Sequence, residues 1–393
     1  MNIGRYKGGG FGLRLLLFLA AAALLGQAPD PAREHLRRGV QAERTGNYAA
    51  ARAEYEKALA LSPKMPEALA NLGTVYLRLG MPERAAAQLK AASELRPAMA
   101  PLKFFHGLSL YEGGRYAEAH EVLAKFLEQM PGDARGLHLD GLCLLKLDRY
   151  EEGRRQLEQS LARQPGNQPA KVTLATAYVA AGNLERAATL IEGLQGADAD
   201  LVRGMILNSK GQYREAEKVL MAALASNPKL PSLNNQLGYT LMLLGDDAGA
   251  IRAFEAELQL APKDFNASAN LGWILVKQRE FARAEALLSE ALKAKPANAG
   301  VLYLLGQVWS SIGETVKAVA ALEQVVKQKP SFRAAHVLLA RGYAKTGRTA
   351  DAERLQAVIR KLTEEEQARN LGANESYADR GATLPDFTEG TKR

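Results

Sequence analysis

A spacing of 34 residues between like residues limits what this chain can fold into. In the segment Phe265–Asn298, a Leu-Gly pair at 271–272 is followed by Ala284, Leu288 and Pro296. Steps of 34 residues in either direction meet the same residue types at the same places. A unit this short cannot bury its apolar face alone, so neighbouring copies must stack on one another. The spacing therefore predicts a stack of small units instead of two or three compact domains.

Each copy has the pattern of two short amphipathic helices joined by a turn. A small residue in the first helix and an alanine in the second allow the paired helices to approach closely. Glycines such as Gly80 and Gly211 lie where the first helix must end, and prolines such as Pro63 and Pro330 stop the second helix. We predict ten copies, which begin near Ala32, Pro66, Ala100, Ala134, Gln168, Ala197, Pro231, Phe265, Ala299 and Arg333.

The period and these residue types together resemble the tetratricopeptide repeat family, whose unit is a helix–turn–helix. No segment with the period-two alternation of a strand stands out, so the predicted fold class is all-α. The resemblance implies a right-handed α-solenoid superhelix of about ten repeats. It also implies that the first helices line a concave groove, where an extended or helical segment of a protein partner binds.

The fifth copy, residues 168–196, is 29 residues long and lacks the usual final proline. We take it as the boundary between two halves, residues 32–196 with repeats 1–5 and residues 197–370 with repeats 6–10. The irregular copy is explained equally well by a hinge and by a tolerated deletion.

The last copy continues as a polar, extended helix that caps the stack. Residues 371–393 mix glycine, proline and charge without a period, which predicts a disordered tail.

Residues 1–28 have the features of a signal peptide. Arg5, Lys7 and Arg14 precede or flank an apolar run, Leu15–Leu25, which is too short for a bilayer span of about 20 residues. Cleavage after Ala28 would export the chain, and we predict a periplasmic location. Because a proline follows that position, an uncleaved form anchored in the membrane and facing the periplasm stays open, as does a chance apolar start in a cytoplasmic protein.

The charged residues argue against nucleic acid as a partner. The formal net charge is +8, but the lysines and arginines alternate with acidic residues along the helices. No dense basic block appears, so the charge is weak support for nucleic-acid binding.

Catalytic and metal-binding patterns are missing from the sequence. Five histidines are scattered over different copies, and no phosphate-binding loop or nucleophile elbow occurs. The single cysteine, Cys143, excludes an intrachain disulfide and is best explained as a small buried residue. We therefore predict a protein that is not an enzyme and has no metal or other cofactor.

Candidate binding residues lie on one face of the first helices. The second, fifth, ninth, twelfth and thirteenth residues share that face because their spacings approximate multiples of 3.6. Aromatic side chains there are typical anchors for a partner, although packing between neighbouring first helices explains them almost as well. Asn270 and Gln236, like Asn71, stand where the resemblance implies an amide that holds a peptide backbone. The predicted partner-binding residues are Phe104, Tyr111, Asn235, Gln236, Tyr239, Asn270, Trp273, Lys277 and Tyr303.

The thirteenth residue of the first helix is often basic, at Arg44, Arg78, Lys146, Lys277 and Lys345. A basic line beside a groove suits an acidic or carboxylate-ended peptide. Cations near a helix C-terminus explain the same residues at least as well.

The predicted function is a protein-binding scaffold or adaptor in the cell envelope. The alternatives are an assembly factor that binds glycan or peptidoglycan-linked machinery, and the regulatory arm of a membrane-bound complex.

Overall fold

The computed structural model describes residues 30–372, with side chains as far as residue 367. The predicted signal peptide and all but the first two residues of the predicted tail lie outside this range. Every regular element between residues 30 and 372 is a helix, which confirms the all-α class. In residues 30–194 the helices are α1 (Pro31–Arg44), α2 (Tyr48–Leu61), α3 (Pro66–Arg78), α4 (Pro82–Leu95), α5 (Ala100–Glu112), α6 (Tyr116–Gln129), α7 (Ala134–Lys146), α8 (Tyr150–Arg163), α9 (Gln168–Ala180) and α10 (Leu184–Ile191). In residues 195–372 they are α11 (Ala197–Ser209), α12 (Tyr213–Ser226), α13 (Leu233–Leu243), α14 (Asp247–Leu260), α15 (Phe265–Lys277), α16 (Phe281–Ala294), α17 (Ala299–Ile312), α18 (Thr315–Gln328), α19 (Arg333–Lys345) and α20 (Thr349–Gly372).

The described chain forms two compact units, which meet in sequence between Leu194 and Gln195. Within each unit, every odd-numbered helix pairs with the helix that follows it, and each pair packs on the next pair. Each unit is thus an α-solenoid of stacked helical hairpins. The prediction of a hinge at the fifth copy stays a prediction.

The predicted copies are found with one shift of register. Nine first helices begin at the predicted residue or one residue before it, but α13 begins at Leu233 instead of Pro231. Ser232 adopts a left-handed backbone with φ 66°, which a regular helix cannot include. Its amide donates to Glu257 Oε1 at 2.7 Å, so a buried carboxylate of α14 replaces the missing cap of α13.

Close packing explains the small residue of each first helix. A Cβ added to Gly272 would lie 2.6 Å from Leu288 Cδ2, and one added to Gly306 would lie 2.8 Å from Leu322 Cγ. Real Cβ atoms do not approach that closely, so these positions admit only the smallest side chains. At the turns, Gly80 has a φ of 69°, a conformation that glycine adopts without strain. Both predicted roles of glycine are confirmed.

The irregular helices are also as predicted. Helix α10 has 8 residues, whereas the second helices of the other four copies in its unit have 14 each. Helix α20 has 24 residues and so extends beyond its copy. Leu362 of the extension is buried, and Glu366 Oε2 accepts from Arg333 Nε at 2.7 Å, which holds the extension against α19. No helix between residues 30 and 372 is both long and apolar enough to cross a bilayer.

Candidate functional site

The candidate site lies on the first helices of residues 195–372. Helices α11, α13, α15, α17 and α19 pack side by side, so equivalent positions of consecutive copies line up along one surface. Tyr239 of α13 and Trp273 of α15 occupy the same place in their copies, 34 residues apart. Both are half-buried at the margin of an apolar cluster that includes Leu271 and Ile274. Each ring therefore has one packed side and one side open to a partner.

Trp273 and Lys277 lie one helical turn apart and interact. The Lys277 ammonium lies 4.5 Å from the centre of the Trp273 ring, within the range of a cation–π interaction. The same ammonium is 3.1 Å from Asp247 Oδ2, and the Lys277 side chain is 45% exposed. Lys277 is therefore part of an ion pair between copies, so it offers a partner less positive charge than the sequence suggested.

The two tryptophans of the chain differ in their hydrogen bonds. Trp309 Nε1 donates to Glu285 Oε1 at 2.8 Å, so this indole is tied to the second helix of the preceding copy. The Trp273 indole N–H makes no hydrogen bond with a residue that the structure describes. Trp273 is therefore the tryptophan that can still donate to a partner.

The amide side chains of α13 and α15 are less exposed than expected for residues on the predicted partner-binding face. Asn270 is 8% exposed and Gln236 is half-buried. The Asn235 backbone N–H donates to Glu257 Oε2 at 3.3 Å, and Asn235 Oδ1 is buried without a hydrogen bond from the described residues. Burial raises the pKa of Glu257, whose oxygens accept backbone N–H groups. Asn235 thus helps to form the capped start of α13, and Gln236 is the more accessible amide.

Tyr303 of α17 packs mainly within its unit. Its ring lies 4.7 Å from the Phe332 ring, and its hydroxyl accepts from Gln307 Nε2 at 3.1 Å. Burial raises the pKa of this hydroxyl. Tyr303 therefore forms the margin of the candidate surface.

Phe104 and Tyr111 belong to the core of the other unit. They are 5% and 6% exposed, and both pack in the cluster that contains Leu123 and Phe126. Burial raises the pKa of the Tyr111 hydroxyl. Helical spacing placed both rings on the predicted face, but their size carries them into the space between neighbouring helices. Neither ring therefore has enough exposed surface to anchor a partner.

A repeated hydrogen bond between consecutive copies was not predicted from the sequence. The hydroxyl of a tyrosine in the first helix donates to a glutamate 20 residues earlier, in the preceding copy. An arginine lies over the same ring in each case. The pairs are Tyr76 with Glu56 at 2.9 Å, Tyr178 with Glu158 at 2.5 Å and Tyr343 with Glu323 at 2.8 Å, and the arginines are Arg84, Arg186 and Arg348. The constant separation of 20 residues between the glutamate and the tyrosine is the sequence pattern that could have predicted this hydrogen bond.

The buried thiol and imidazoles show no catalytic arrangement. Cys143 is fully buried, as predicted, and burial raises the pKa of its thiol. Burial lowers the pKa of His106 and of His138 to about 4, so both imidazoles are neutral near pH 7. Between residues 30 and 372, no three His, Cys, Asp or Glu side chains are grouped so that they could hold one metal ion.

Models of one repeat family match most of the chain. The matches described as "TPR repeat" and "Tetratricopeptide repeat" cover residues 44–80, 70–134, 144–205, 201–265, 241–308, 275–332 and 312–364.

Curated relatives match only part of the chain. The chain is 31% identical over 156 residues to protein FlbA of Caulobacter vibrioides, a match that covers 38% of this chain and 26% of FlbA. It is 27% identical over 253 residues to cellulose synthase 1 operon protein C of Komagataeibacter xylinus, which covers 58% of this chain and 19% of the relative. The chain thus spans about a quarter or less of the length of these relatives.

Solved structures with little sequence identity share the fold. A tetratricopeptide repeat protein from Parabacteroides merdae has a TM-score of 0.51 and 19% identity, with 62% of this chain and 98% of that chain covered. The human IFIT1 dimer with PPP-AAAA has a TM-score of 0.53 and 15% identity, with 90% and 94% covered.

Proposed function

The chain belongs to the tetratricopeptide repeat family, and on that premise we propose that it is a non-enzymatic scaffold that binds protein partners. The partner segment lies on the first helices of residues 195–372. Gln236, Tyr239, Trp273 and Lys277 make the main contacts, and Asn235, Asn270 and Tyr303 support them. Stacked repeats are suited to this role because they present a long surface on a rigid frame.

The state of Trp273 supports the proposal most strongly. The indole is half-buried, its N–H has no hydrogen-bond acceptor among the described residues, and a lysine lies over its ring. A large aromatic ring with a free polar edge is the kind of residue that dominates the binding energy of protein interfaces. Trp309, which has the same chemistry, has its N–H satisfied within the fold.

We place the scaffold in the cell envelope. The apolar start of the sequence supports export, and one relative is named for a cellulose synthase operon. The name of that relative also supports the alternative function, an assembly factor associated with glycan. Aromatic rings such as Tyr239 and Trp273 would suit it, because they stack on sugars as well as on side chains.

Site-specific crosslinking in cells tests the proposal. A photoreactive residue replaces Gln236, Lys277 or, as a control, Lys218, which is exposed on the second helix α12. We expect the same protein adduct from positions 236 and 277 and none from 218. An equal adduct from 218, or none from the other two, contradicts the proposed surface.

Digestion of the envelope with glycan-degrading enzymes before crosslinking separates the two functions. If the adduct survives, a protein segment is bound directly. If the adduct depends on intact glycan, the glycan-associated function replaces the proposed one.

A further inference from the structure

A row of lysines follows one edge of residues 195–372. Because the first helices pack side by side, the turns that lead from each second helix to the next first helix lie along the same edge. Neighbouring helices pack about 8–10 Å apart, so four such turns, separated by three spacings, extend over roughly 24–30 Å. We call this row the lysine edge; it consists of Lys229, Lys263, Lys295 and Lys329 in the turns, with Lys293 and Lys327 in the last turn of the second helices.

Few acidic groups neutralise the lysine edge. Glu257 is buried and Asp264 Oδ1 accepts from the Ala267 backbone N–H at 2.8 Å, so both carboxylates serve as helix caps. Glu290 pairs with Lys293 at 2.5 Å. Three exposed lysines make no ion pair with any residue from 30 to 367, namely Lys229, Lys263 and Lys327. The row ends at the last copy, where Glu366 pairs with Arg333.

The equivalent turns of the other unit carry both signs of charge. Arg96 pairs with Glu67 at 2.9 Å, and Arg135 pairs with Asp133 at 2.8 Å. Lys64, at the place equivalent to Lys229 and Lys263, is exposed as well. Because acidic residues pair with the basic ones at the other turns of that unit, the excess of positive charge at the turn edge is larger in residues 195–372. Along the sequence it is inconspicuous, since each copy contributes only one or two lysines.

We propose that the lysine edge rests on the surface of an anionic lipid bilayer. The turns bring these lysines to one edge of the unit, and each lysine near an anionic bilayer adds electrostatic attraction. Leu260, at the second of the four turns, is 44% exposed and provides an apolar contact. This edge is separate from the face that carries Trp273, so the inference does not depend on the proposed function.

Nucleic acid fits this edge less well than a bilayer. Proteins that bind single strands stack bases on exposed aromatic rings. The aromatic rings at these turns are already covered, because Lys295 lies 5.2 Å from the centre of the Phe265 ring and Phe332 packs on Tyr303.

Flotation of the full chain with vesicles tests the proposal. One set of vesicles is pure phosphatidylcholine and the other contains about 30% phosphatidylglycerol, a proportion that gives a strongly negative surface. We expect binding to the anionic vesicles that weakens as the salt concentration rises, because salt screens the attraction. Comparison with the neutral vesicles separates this effect from insertion of the apolar N-terminal segment.

Charge reversal identifies the surface that binds. Lys229→Glu, Lys263→Glu and Lys327→Glu together should weaken binding to anionic vesicles by about 100-fold or more. A matched control reverses Lys210, Lys218 and Lys317, which are exposed elsewhere on the same unit, and should keep binding within about threefold, since those sites do not meet the membrane. Equal binding to both kinds of vesicle, equal loss in both variants, or binding to duplex DNA but not to vesicles would overturn the proposal. Circular dichroism confirms that both variants stay helical.

Discussion

The carboxylate of Asp140 accepts a hydrogen bond from His120 at 2.6 Å and another from Gln156 at 3.0 Å. The three residues belong to α7, α6 and α8, so one buried acid joins three helices and two copies. Asp140 is 1% exposed, and burial raises the pKa of its carboxyl. The same place is a leucine in six other copies, at Leu72, Leu174, Leu237, Leu271, Leu305 and Leu339.

This polar cluster predicts opposite results for two substitutions. His120→Ala leaves the buried carboxylate with Gln156 alone, and we expect the free energy of unfolding to fall by about 3 kcal/mol. Asp140→Leu restores the usual apolar residue, so by the same argument its effect should lie between a loss of about 1 kcal/mol and a gain in stability. Urea unfolding at pH 7 measures both. A larger loss from Asp140→Leu than from His120→Ala would show that the cluster stabilises the stack.

His106 occupies the same place in the preceding copy and makes stability depend on pH. Burial, together with Lys90 and Arg115 nearby, lowers its pKa from 6.5 to about 4. Between these values the unfolded chain binds a proton that the folded chain does not, so stability falls as the pH falls from 6.5 towards 4.

We therefore expect His106→Leu to stabilise the protein more at pH 5 than at pH 7.5, by up to about 2 kcal/mol. Thermal unfolding of the variant and the wild type at the two pH values gives this difference directly. An equal change at both values would mean that the imidazole has the same pKa in the folded and the unfolded chain.

The contact between Gly272 and Leu288 predicts the cost of a larger side chain. A Cβ at Gly272 meets Leu288 at 2.6 Å, so Gly272→Leu must push α15 and α16 apart. We expect a loss of about 1–3 kcal/mol in the free energy of unfolding. Gly166→Leu is the control, because a Cβ there meets nothing within 4 Å, and its effect should stay within about 0.5 kcal/mol. Similar losses in the two variants would contradict the assigned packing role.

The sequence predicted the stacking positions well because they recur with the period. Gly272, Ala284 and Leu288 repeat in most copies, and each repetition adds support to the register. The start of α13 could not be predicted, since its cap comes from Glu257, which is far along the chain from Ser232.

The burial of a side chain was harder to predict than the face of the helix on which it lies. The period gives the direction in which a side chain leaves its helix, but not how far a neighbouring helix covers it. Phe104 and Trp273 were both assigned to the partner-binding face, yet Phe104 lies in a core whereas Trp273 stays half-buried. The lysine edge was missed for a related reason, because packing gathers residues that are about 34 positions apart.

Trp273 and Trp309 give the sharpest test of the partner surface, because similar substitutions should have opposite effects. Trp273→Ala with Tyr239→Ala removes two half-buried rings, and the Trp273 indole makes no hydrogen bond with the described residues, so helicity and melting temperature should change little. Affinity for the partner identified by crosslinking should fall by about 2 kcal/mol or more, the loss typical of a binding hot spot.

Trp309→Ala breaks the hydrogen bond to Glu285 and removes packing between copies. It should therefore lower the melting temperature while leaving the affinity nearly unchanged at temperatures where the variant is folded. Titration calorimetry and thermal unfolding of both variants provide the two measurements. If Trp273→Ala with Tyr239→Ala lowers the melting temperature as much as Trp309→Ala does, these rings serve the core, and the partner must bind elsewhere on the scaffold.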